Sequence, residues 1–378
     1  MGFSDAEANF YIKEQKDKSF VGVRFKINLH KDDIGALNYI HDNLGVGRVK
    51  AMGDDTVTFE ITDMGEIGDV IIPIFTENPL LTIKSINFSK FKRVYEMKKS
   101  GQHSIEELYA LSVDIKEGMN SQLDLNSQEV KAWEATYNQN NKITLYWLLG
   151  FIEGEGTFGV KNNSPYFQIC QKDCSECTLR LINQFLVDLW DKNIFNYKVV
   201  PPISVSLSDT KNKETGVYSF VIQRIDALYY FYLPLFSGLT FRSRKYIDFK
   251  LWSIVVLLCK RGYFHSIGGK QLLVLISQNM NDNRYSTSKK IPPLLSKSDV
   301  ENIFNLEPSI KEDPLNFKPH ATLVKGITST KGNSVDVFRD GVLVEGSPFP
   351  SYAEAQRTLG WNPKQVIIGR LIDTEKPF

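Results

Sequence analysis

Apolar and polar residues alternate along the chain with two different periods, and the periods change in a regular order. Within 18–29, apolar side chains occupy every second position from Val21 to Leu29, which is typical of a strand with one buried face. Together with 10–15 and the polar turn between them, this run predicts a β-hairpin. An apolar stripe at helical spacing then predicts a helix over 32–44. The remaining elements predicted for this region are a second hairpin over 46–52 and 56–62, a helix over 66–75 and a last helix that begins within 79–91.

A second region repeats this order of elements. Its predicted elements are a hairpin over 158–161 and 166–171, a helix over 175–191, strands over 197–207 and 216–223, a helix over 225–235 and a last helix within 238–252. When the small-residue segment at the start of each region is counted as a helix, both regions have the order α-β-β-α-β-β-α. The expected fold class is therefore α+β, with two pseudo-symmetric αββαββα halves built on antiparallel sheets.

Both regions begin with similar short segments. The first reads GFSDAEANF and the second GFIEGEGTF, and an alignment without gaps places Glu7 opposite Glu155 and Asp5 opposite Glu153. On a helix, residues two positions apart lie on different faces, so the two pairs of acids are expected to serve different purposes. Two unrelated helices with acids placed by chance is the alternative, but the matching order of elements downstream disfavours it.

The alignment also pairs basic residues further along. Matching Phe88 with Phe249 places Lys84 opposite Lys245, each at the start of a last helix. The copies differ at their own starts, because the second motif is preceded by the apolar residues of 144–149 and the first by Met1 alone. We therefore expect the first motif helix to be shorter than the second. The residue that closes the motif is Ala8 in the first copy and a glycine in the second.

The paired motifs resemble those of the LAGLIDADG homing endonucleases and their intron-maturase relatives. The resemblance implies that the two motif helices pack side by side, with small residues allowing their backbones to approach closely. It implies that the antiparallel sheets form a saddle that binds DNA. It also implies that Glu7 and Glu155, the last acids of the motifs, hold Mg²⁺ at the scissile phosphates. The chain is then expected to act as a monomer on double-stranded DNA.

The resemblance also suggests roles for residues near these acids. Lys84 and Lys245 correspond to basic residues that stabilise charge on the phosphate, although an ordinary surface lysine is an equal alternative and Arg242 and Arg244 compete for the role. Lys26 and Gln168 correspond to strand positions that hold or orient the attacking water. These four residues and the two motif acids form the candidate catalytic set.

The charge of the chain, +1 in total, is unevenly distributed. Residues 101–135 carry a net charge of −5, which leaves +6 for the remainder, so we interpret 101–140 as an acidic connector between halves at 1–100 and 141–288. Charge runs often mark only a solvated face, but basic residues that alternate along a sheet suit the major groove of DNA. The candidate DNA-binding residues of the two halves are Lys13, Arg24, Lys26, Arg48, Lys50, Lys161 and Arg284.

Several other classes of protein and site are disfavoured. No run of about 18 apolar residues is present, so we expect no membrane span. Four cysteines in 378 residues indicate a reducing compartment rather than a disulfide scaffold. Cys174 and Cys177 have the spacing of a zinc pair, but only Cys170 lies nearby and no histidine cluster completes a tetrahedral set.

The C-terminal part has a different composition. Residues 289–320 are rich in proline and charged residues and are interpreted as a linker with a short helix near 299–305. Residues 321–378 then predict a small hairpin, a helix at 351–359 and a second helix at 362–371. The segment resembles a modular DNA-binding repeat found beside homing nucleases, with Lys364 and Arg370 placed to contact DNA. A small domain that only packs on the nuclease is the alternative.

Three functions are compatible with these patterns. The first is an intron-encoded, site-specific DNA endonuclease that makes a Mg²⁺-dependent double-strand cut in a long asymmetric target. The second is a maturase that binds its host intron RNA and assists group I splicing, with or without cleavage. The third, a transcription regulator, leaves the duplicated acids unexplained. The family resemblance alone suggests a mitochondrial location.

Overall fold

The computed structural model of this chain describes residues 1–137, 142–172, 176–192, 207–208, 217–280, 293–313, 316–328, 335–339, 342–350 and 352–360. Within these ranges the α+β prediction is confirmed. Each half contains a four-stranded antiparallel sheet in which, counted along the chain, the first strand pairs with the second, the second with the fourth and the fourth with the third. The two sheets thus have the same topology, as the repeated sequence pattern predicted.

The first half begins with the short motif helix and ends with a long helix against the core side of its sheet. Its elements are α1 (Gly2–Glu7), β1 (Ala8–Glu14), β2 (Val21–His30), α2 (Ile34–Leu44), β3 (Arg48–Met52), β4 (Thr56–Ile61), α3 (64–77) and α4 (Lys84–Ser100). A 3₁₀ turn, Lys31–Asp33, precedes α2.

The acidic connector predicted over 101–140 is largely helical, with α5 (Ile105–Glu117) and α6 (Gln128–Tyr137). It touches both halves. The Tyr137 hydroxyl donates to the carbonyl oxygen of Leu81, in the first half, at 2.6 Å, and it contacts Thr178 Oγ1, in the second half, at 3.1 Å. Thr178 also donates to the Leu81 oxygen, at 2.7 Å. The connector therefore helps to fix one half against the other.

The second half repeats the order of the first. Its elements are α7 (Leu145–Glu155), β5 (Gly156–Lys161), β6 (Ser164–Lys172), α8 (Glu176–Asp191), β7 (Leu207–Ser208), β8 (Val217–Ile222), α9 (225–237), α10 (Lys245–Lys260) and α11 (Ile267–Asn279). The motif helix α7 has eleven residues where α1 has six, in keeping with the expectation from their flanking sequences.

Helices α3 and α9 each contain a π turn at the same place, Ile67–Ile71 and Leu228–Tyr232. In both cases a proline follows at the second residue after the turn, Pro73 and Pro234. Proline has no N–H to donate to the preceding turn, so the hydrogen-bond ladder must be rearranged there. The helix predicted over 66–75 thus continues to residue 77 through a local change in winding.

The cores of the halves match position by position. In the first half the ring of Phe10 lies 5.4 Å from that of Phe25 and 5.4 Å from that of Phe88. In the second half the ring of Phe158 lies 5.4 Å from that of Phe167 and 5.4 Å from that of Phe249. Each cluster is completed by two further buried aromatic residues, which are Phe75 and Phe91 in the first half and Phe236 and Trp252 in the second.

The segment predicted as a Pro-rich linker lies against the second half in its described parts. It forms α12 (Lys297–Phe304), and the backbone N–H of Ile310 donates to the carbonyl of Arg261 at 3.0 Å. Ile310 is buried beside Gly262, where any side chain would collide with it. These residues were predicted as a linker with a short helix near 299–305; their described parts contain that helix and also pack on the second half, because apolar side chains among the prolines find a surface there.

Helix α13 (His320–Thr328) follows, and then a small hairpin and helix at the end of the described chain. The hairpin pairs β9 (Phe338–Arg339) with β10 (Val342–Leu343), and α14 (Tyr352–Leu359) packs near it through the buried Ala355. The second helix predicted at 362–371 lies outside the described residues. Among the helices that the structure describes, none is long and apolar enough to cross a membrane.

Candidate active site and nucleic-acid interface

The motif helices α1 and α7 lie side by side at the seam between the halves. Glycines make the approach possible: a Cβ on Gly2 would lie 1.7 Å from the carbonyl oxygen of Trp147, and a Cβ on Gly154 would lie 2.4 Å from the Cβ of Ala6. No side chain fits at either position unless the helices separate. The small residues of the two motifs therefore determine how closely their C-terminal ends meet.

Each motif helix ends at its acid, so Glu7 and Glu155 stand at adjoining helix ends. Burial raises the pKa of Glu7, the charge of Glu155 raises it further, and the charges of Lys84 and Lys245 oppose the rise. Burial also raises the pKa of Glu155, against a hydrogen bond from Gln171 and the same two lysines. The carboxylates are thus close enough to repel each other in a partly dry site.

The two lysines predicted beside the acids are the first residues of α4 and α10. Lys84 Nζ donates to the carbonyl oxygen of Ala6 at 2.6 Å, and Lys245 Nζ donates to that of Gly156 at 2.7 Å. Burial lowers the pKa of Lys84, while the charges of Glu7 and Glu155 raise it. The structure therefore brings together the two motif acids and the two lysines that the alignment paired.

The competing arginines have other partners. The guanidinium of Arg242 stacks on the ring of Tyr39 at 4.3 Å. Arg244 donates from its backbone to Asp33 at 2.8 Å and from Nη1 to Asp32 at 3.1 Å, which ties the second half to α2 of the first. These contacts favour the lysines as the cations of the site.

Asp5 has a role that the sequence did not reveal. It is buried, and its carboxylate accepts hydrogen bonds from Leu81 N at 3.0 Å, Thr82 N at 2.9 Å, Thr82 Oγ1 at 2.8 Å and Trp147 Nε1 at 2.8 Å. Burial raises the pKa of Asp5, and these hydrogen bonds oppose the rise. Asp5 thus holds the segment just before Lys84 against both motif helices.

Glu153 makes the corresponding contacts in the second half. Its Oε1 accepts from the backbone N–H of Arg242 and from that of Ser243, the latter at 2.7 Å. Ser243 precedes Lys245 by two residues, as Thr82 precedes Lys84, and each hydroxyl accepts from the lysine's backbone N–H at 3.3 Å. The only hint of this arrangement in the sequence was the earlier acid of each motif, Asp5 or Glu153, on a different face from the last acid.

Lys26 and Gln168 occupy equivalent sheet positions, since Lys26 pairs with Asn9 and Gln168 pairs with Thr157. Their surroundings differ. Gln168 Nε2 lies 2.7 Å from Cys170 Sγ and 3.3 Å from Ser219 Oγ, while Lys26 lies opposite Glu60 on the neighbouring strand. The residue that does contact a motif acid is Gln171, three positions after Gln168 in β6, and sequence analysis missed it.

The predicted DNA-binding residues of the first half share the polar face of its sheet or its exposed edge. Arg24, Arg48 and Lys50 converge on Glu60, with Lys50 Nζ 2.6 Å from its carboxylate. Lys13 is exposed in β1, and Lys161 is exposed at the end of β5. The remaining predicted contacts lie outside the described residues, and these are Arg284, Lys364 and Arg370.

A cavity of about 460 Å³ opens beside Glu7 at the seam. Its walls come from both halves and include Asn28, Asp33, Glu153 and Lys245. The described residues hold no cluster of three or more His, Cys, Asp or Glu side chains that could bind a metal by themselves. Two mutually repelling carboxylates still fit Mg²⁺, which takes oxygen ligands and often binds through one or two carboxylates while water and substrate phosphates supply the rest.

Comparisons with known proteins agree with this geometry. The family model described as LAGLIDADG endonuclease matches residues 1–95 and 148–256, which is more than half of the chain. The mitochondrial protein RF1 of Saccharomyces cerevisiae is 29% identical over 353 residues, covering 91% of this chain and 71% of that protein. The probable intron-encoded endonuclease Cox1-I1b of Schizosaccharomyces pombe is 26% identical, covering 67% of this chain and 62% of its own length.

Solved structures show the same fold. The LAGLIDADG homing endonuclease I-GzeII in complex with its DNA target superposes with a TM-score of 0.60 at 24% identity, covering 75% of this chain and 97% of that one. Meganuclease I-SmaMI bound to uncleaveable DNA superposes with a TM-score of 0.61 at 20% identity, covering 75% and 96%. The 289–378 region extends beyond the 1–95 and 148–256 stretches that define the match to the family.

Proposed function

We propose that this chain, which belongs to the LAGLIDADG endonuclease family, is an intron-encoded, site-specific DNA endonuclease that makes a double-strand cut in a long asymmetric target. One observation carries the proposal: each half brings one acid and one lysine, on equivalent elements, to a common seam. Two sites of this kind, one for each strand, are what a double-strand cut requires. Because the polar faces of the two sheets differ, the target is expected to lack symmetry.

Mg²⁺ is the proposed cofactor, held by Glu7 and Glu155. When bound, it would activate water and stabilise the leaving oxygen of the phosphodiester. The chain's own residues do the rest. Lys84 and Lys245 place positive charge next to the acids, where negative charge accumulates on the phosphate, and a preorganised group of this kind contributes a few kcal/mol. Asp5 and Glu153 hold the segments that carry these lysines.

The RNA-binding maturase remains the alternative, because the same saddle can bind either nucleic acid. The observation that favours cleavage is the completeness of the site in both halves: acid, lysine and supporting acid are each present twice. A protein that only bound RNA would have no physical need to keep two repelling carboxylates in a partly dry seam. A fungal mitochondrial location is proposed from the relatives, which include a mitochondrial protein of yeast.

The test is direct. Purified protein is incubated with Mg²⁺ and a duplex that spans the joined exons of its host gene, and the products are resolved on a denaturing gel. We expect a cut in each strand at one position, and no cut in EDTA. The double variant Glu7→Gln, Glu155→Gln is the control for contaminating nucleases. An intact duplex with the parent protein, together with specific retention of the intron RNA, would favour the maturase instead.

A further inference from the structure

Glu60 is a buried acid on the face of the first sheet that points away from the core. It lies in β4, an interior strand, with Lys26 opposite it on β2 and Arg48 opposite it on β3. The neighbouring residues Phe59 and Ile61 point to the core, so Glu60 points the other way. Only 2% of its side chain is exposed. Basic side chains that cover it, and not the core, account for its burial.

In the part of the chain that the structure describes, the polar contacts of the Glu60 carboxylate are all with cations. Arg48 donates to its Oε1 from Nε at 2.9 Å and from Nη2 at 2.7 Å, and Lys50 Nζ donates to the same oxygen at 2.6 Å. Arg24 Nη1 lies 3.8 Å from Oε2. Burial alone would raise the pKa of Glu60, but the hydrogen bonds from Lys50 and Arg48 lower it below its ordinary value. The carboxylate is therefore charged, while Arg48 above it keeps 65% of its side chain exposed.

Among the described residues of the second half, no acid occupies the equivalent position. Lys26 and Gln168 occupy equivalent positions, and the strand partner of Gln168 is Val221, so Val221 stands where Glu60 stands in the first half. Next to Val221, this face of the second sheet presents the uncharged Gln168, Cys170 and Ser219, and its described cations, Lys161 and Lys172, lie at strand ends. Within the described part of the chain, an acid surrounded by cations is therefore found on the sheet face of the first half only.

We infer that Glu60 is a specificity-determining positioning residue, which orients Arg48 and Lys50 to read base edges in the half-site bound by the first half. The inference rests on the proposed function and adds to it a prediction about the target. Because Glu60 engages Arg48 through Nε and Nη2, and Arg48 is largely exposed, the end-on edge of the guanidinium, formed by Nη1 and Nη2, is left for a base. That edge matches the two acceptors of guanine in the major groove.

Glu60 also reduces the attraction of this face for any DNA. Cations that contact phosphates supply most of the non-specific affinity, and each one adds to its salt dependence. A carboxylate among four cations, Arg24, Lys26, Arg48 and Lys50, offsets one unit of that charge. Side chains that are held before binding also lose less conformational entropy when they meet a base. Both effects increase the ratio of specific to non-specific binding.

The experiment compares the parent protein with Glu60→Gln, which removes the charge with little change in volume. Each protein selects duplexes from a pool with a randomised 30-base-pair region in EDTA buffer, and the bound DNA is sequenced. We expect the variant to lose preference for guanine at one or two positions in one half-site, by about ten-fold, and to keep the other half-site. Its affinity for random-sequence duplex should rise about three-fold at low salt, with a salt slope steeper by about one ion.

Two further variants separate geometry from charge. Glu60→Asp keeps the charge but shortens the side chain, so it should lose the base preference without the gain in non-specific affinity. Glu96→Gln, on the exposed side of α4, makes the same change in net charge away from the sheet face and should change neither property. Circular dichroism and thermal unfolding confirm that each variant is folded before its binding is interpreted.

The possible results distinguish a failure of the proposed function from a failure of the inference about Glu60. A parent protein that selects no consensus would overturn the proposed function, and this inference with it. A parent consensus that Glu60→Gln leaves unchanged would overturn the inference alone. A loss of preference spread evenly over both half-sites would also overturn it. Such a result would show that Glu60 acts through the general stability of the protein and not through one sheet face.

Discussion

The two halves of the molecule are alike where they touch the seam and different where they face outwards. Around Phe10 and around Phe158, aromatic rings of equivalent residues lie at nearly the same distances. The acids and lysines at the seam are duplicated as well. On the polar faces of the sheets, in contrast, Glu60 corresponds to Val221 and Lys26 to Gln168. Under the proposed function, the seam catalyses the same reaction on each DNA strand, whereas each sheet face contacts a different part of an asymmetric target.

The ties between the halves are also unequal. On one side of the seam the link is ionic, from Arg244 to Asp32 and to the carboxylate of Asp33. On the other side it is neutral, through the carbonyl of Leu81 that Tyr137 and Thr178 share. The cores of the two halves are therefore duplicated, but the contacts that join the halves are not. This difference allows the equivalence of the halves to be tested one residue pair at a time.

The largest effect is expected from the motif acids. Glu7→Gln and Glu155→Gln should each reduce double-strand cleavage by at least about 100-fold, because each removes a charged ligand from a site built for transition-state electrostatics. DNA affinity should change little, since the amide has nearly the same volume. Rates are measured on a labelled duplex under single-turnover conditions, with binding followed by gel shift. A single variant that still produces linear product at nearly the parental rate would show that its half carries no essential acid.

The lysines should reveal whether each half serves one strand. Lys84→Met and Lys245→Met should each slow cleavage of one strand by roughly 10–100-fold, so that a nicked duplex accumulates, with the nick in opposite strands for the two variants. The two strands carry different labels, and both are followed in time. Lys99→Met, at an exposed position near the end of the same helix as Lys84, is the matched control. Equal slowing of both strands by either variant would mean that the halves share one site.

Substitutions of the two supporting acids, Asp5 and Glu153, should destabilise the fold by different amounts. In Asp5 both carboxylate oxygens accept two hydrogen bonds each, so Asp5→Asn must turn an NH₂ group towards two donors, at a cost of about 2 kcal/mol. In Glu153 a single oxygen accepts both backbone bonds, so Glu153→Gln can keep them and should cost less than about 1 kcal/mol. Urea unfolding of both variants measures the difference. Similar costs would contradict the hydrogen-bond count as the source of the asymmetry.

Sequence alone predicted the elements and the seam well because both depend on local signals. Period-two patterns predicted the hairpins, the ungapped motif alignment paired Glu7 with Glu155, and the match of Phe88 with Phe249 paired Lys84 with Lys245. The register that brings Glu60 between Lys26 and Arg48 could not be predicted in this way. The short turn of the second hairpin places Arg48 opposite Glu60, but α2 and β3 separate β2 from β4 along the chain, so no turn fixes the offset that places Lys26 opposite Glu60.

The contacts that were missed are long-range ones. Asp5 binds Leu81 and Thr82, more than 70 residues later, and Trp147 in the other half. The packing of Ile310 beside Gly262 likewise turned a composition typical of a linker into an ordered segment, because composition does not show whether a complementary surface exists. Chain-distant partners of this kind set the geometry of the site, while local patterns only place its residues on elements.

A smaller effect is expected from the C-terminal module, which has no counterpart in the first half. Removal of residues 329–378 keeps the buried His320 and its contact with Cys259, so the second half should stay folded. DNA affinity should fall roughly ten-fold and the footprint should shorten on one side, with the cut position unchanged. The tail-dependent part of the affinity should fade as salt rises. Identical footprints and salt slopes for the two proteins would make the module a packing element.

The smallest effect concerns the stability of the metal-free protein, and it compares the two acids directly. Burial and the charge of Glu155 raise the pKa of Glu7 above its ordinary value of 4.5. Gln171, which hydrogen-bonds Glu155, occupies a strand position that in the first half is the apolar Leu29. At a pH below 4.5 both folded and unfolded chains hold the proton, so the group contributes nothing. As the pH rises from there to the raised pKa, the unfolded chain ionises first, and the folded state loses stability.

Substitution by glutamine removes this loss. In EDTA at neutral pH, Glu7→Gln should therefore raise the Tm by an amount of the order of 1–2 °C, and Glu155→Gln should raise it less, because Gln171 already stabilises the charged form of that residue. Both differences from the parent should vanish near pH 4 and should reverse when Mg²⁺ is added, since only the parent can use both carboxylates to bind the ion. Thermal unfolding at several pH values measures this. A larger gain from Glu155→Gln than from Glu7→Gln would mean that the Gln171 contact does not distinguish the two halves.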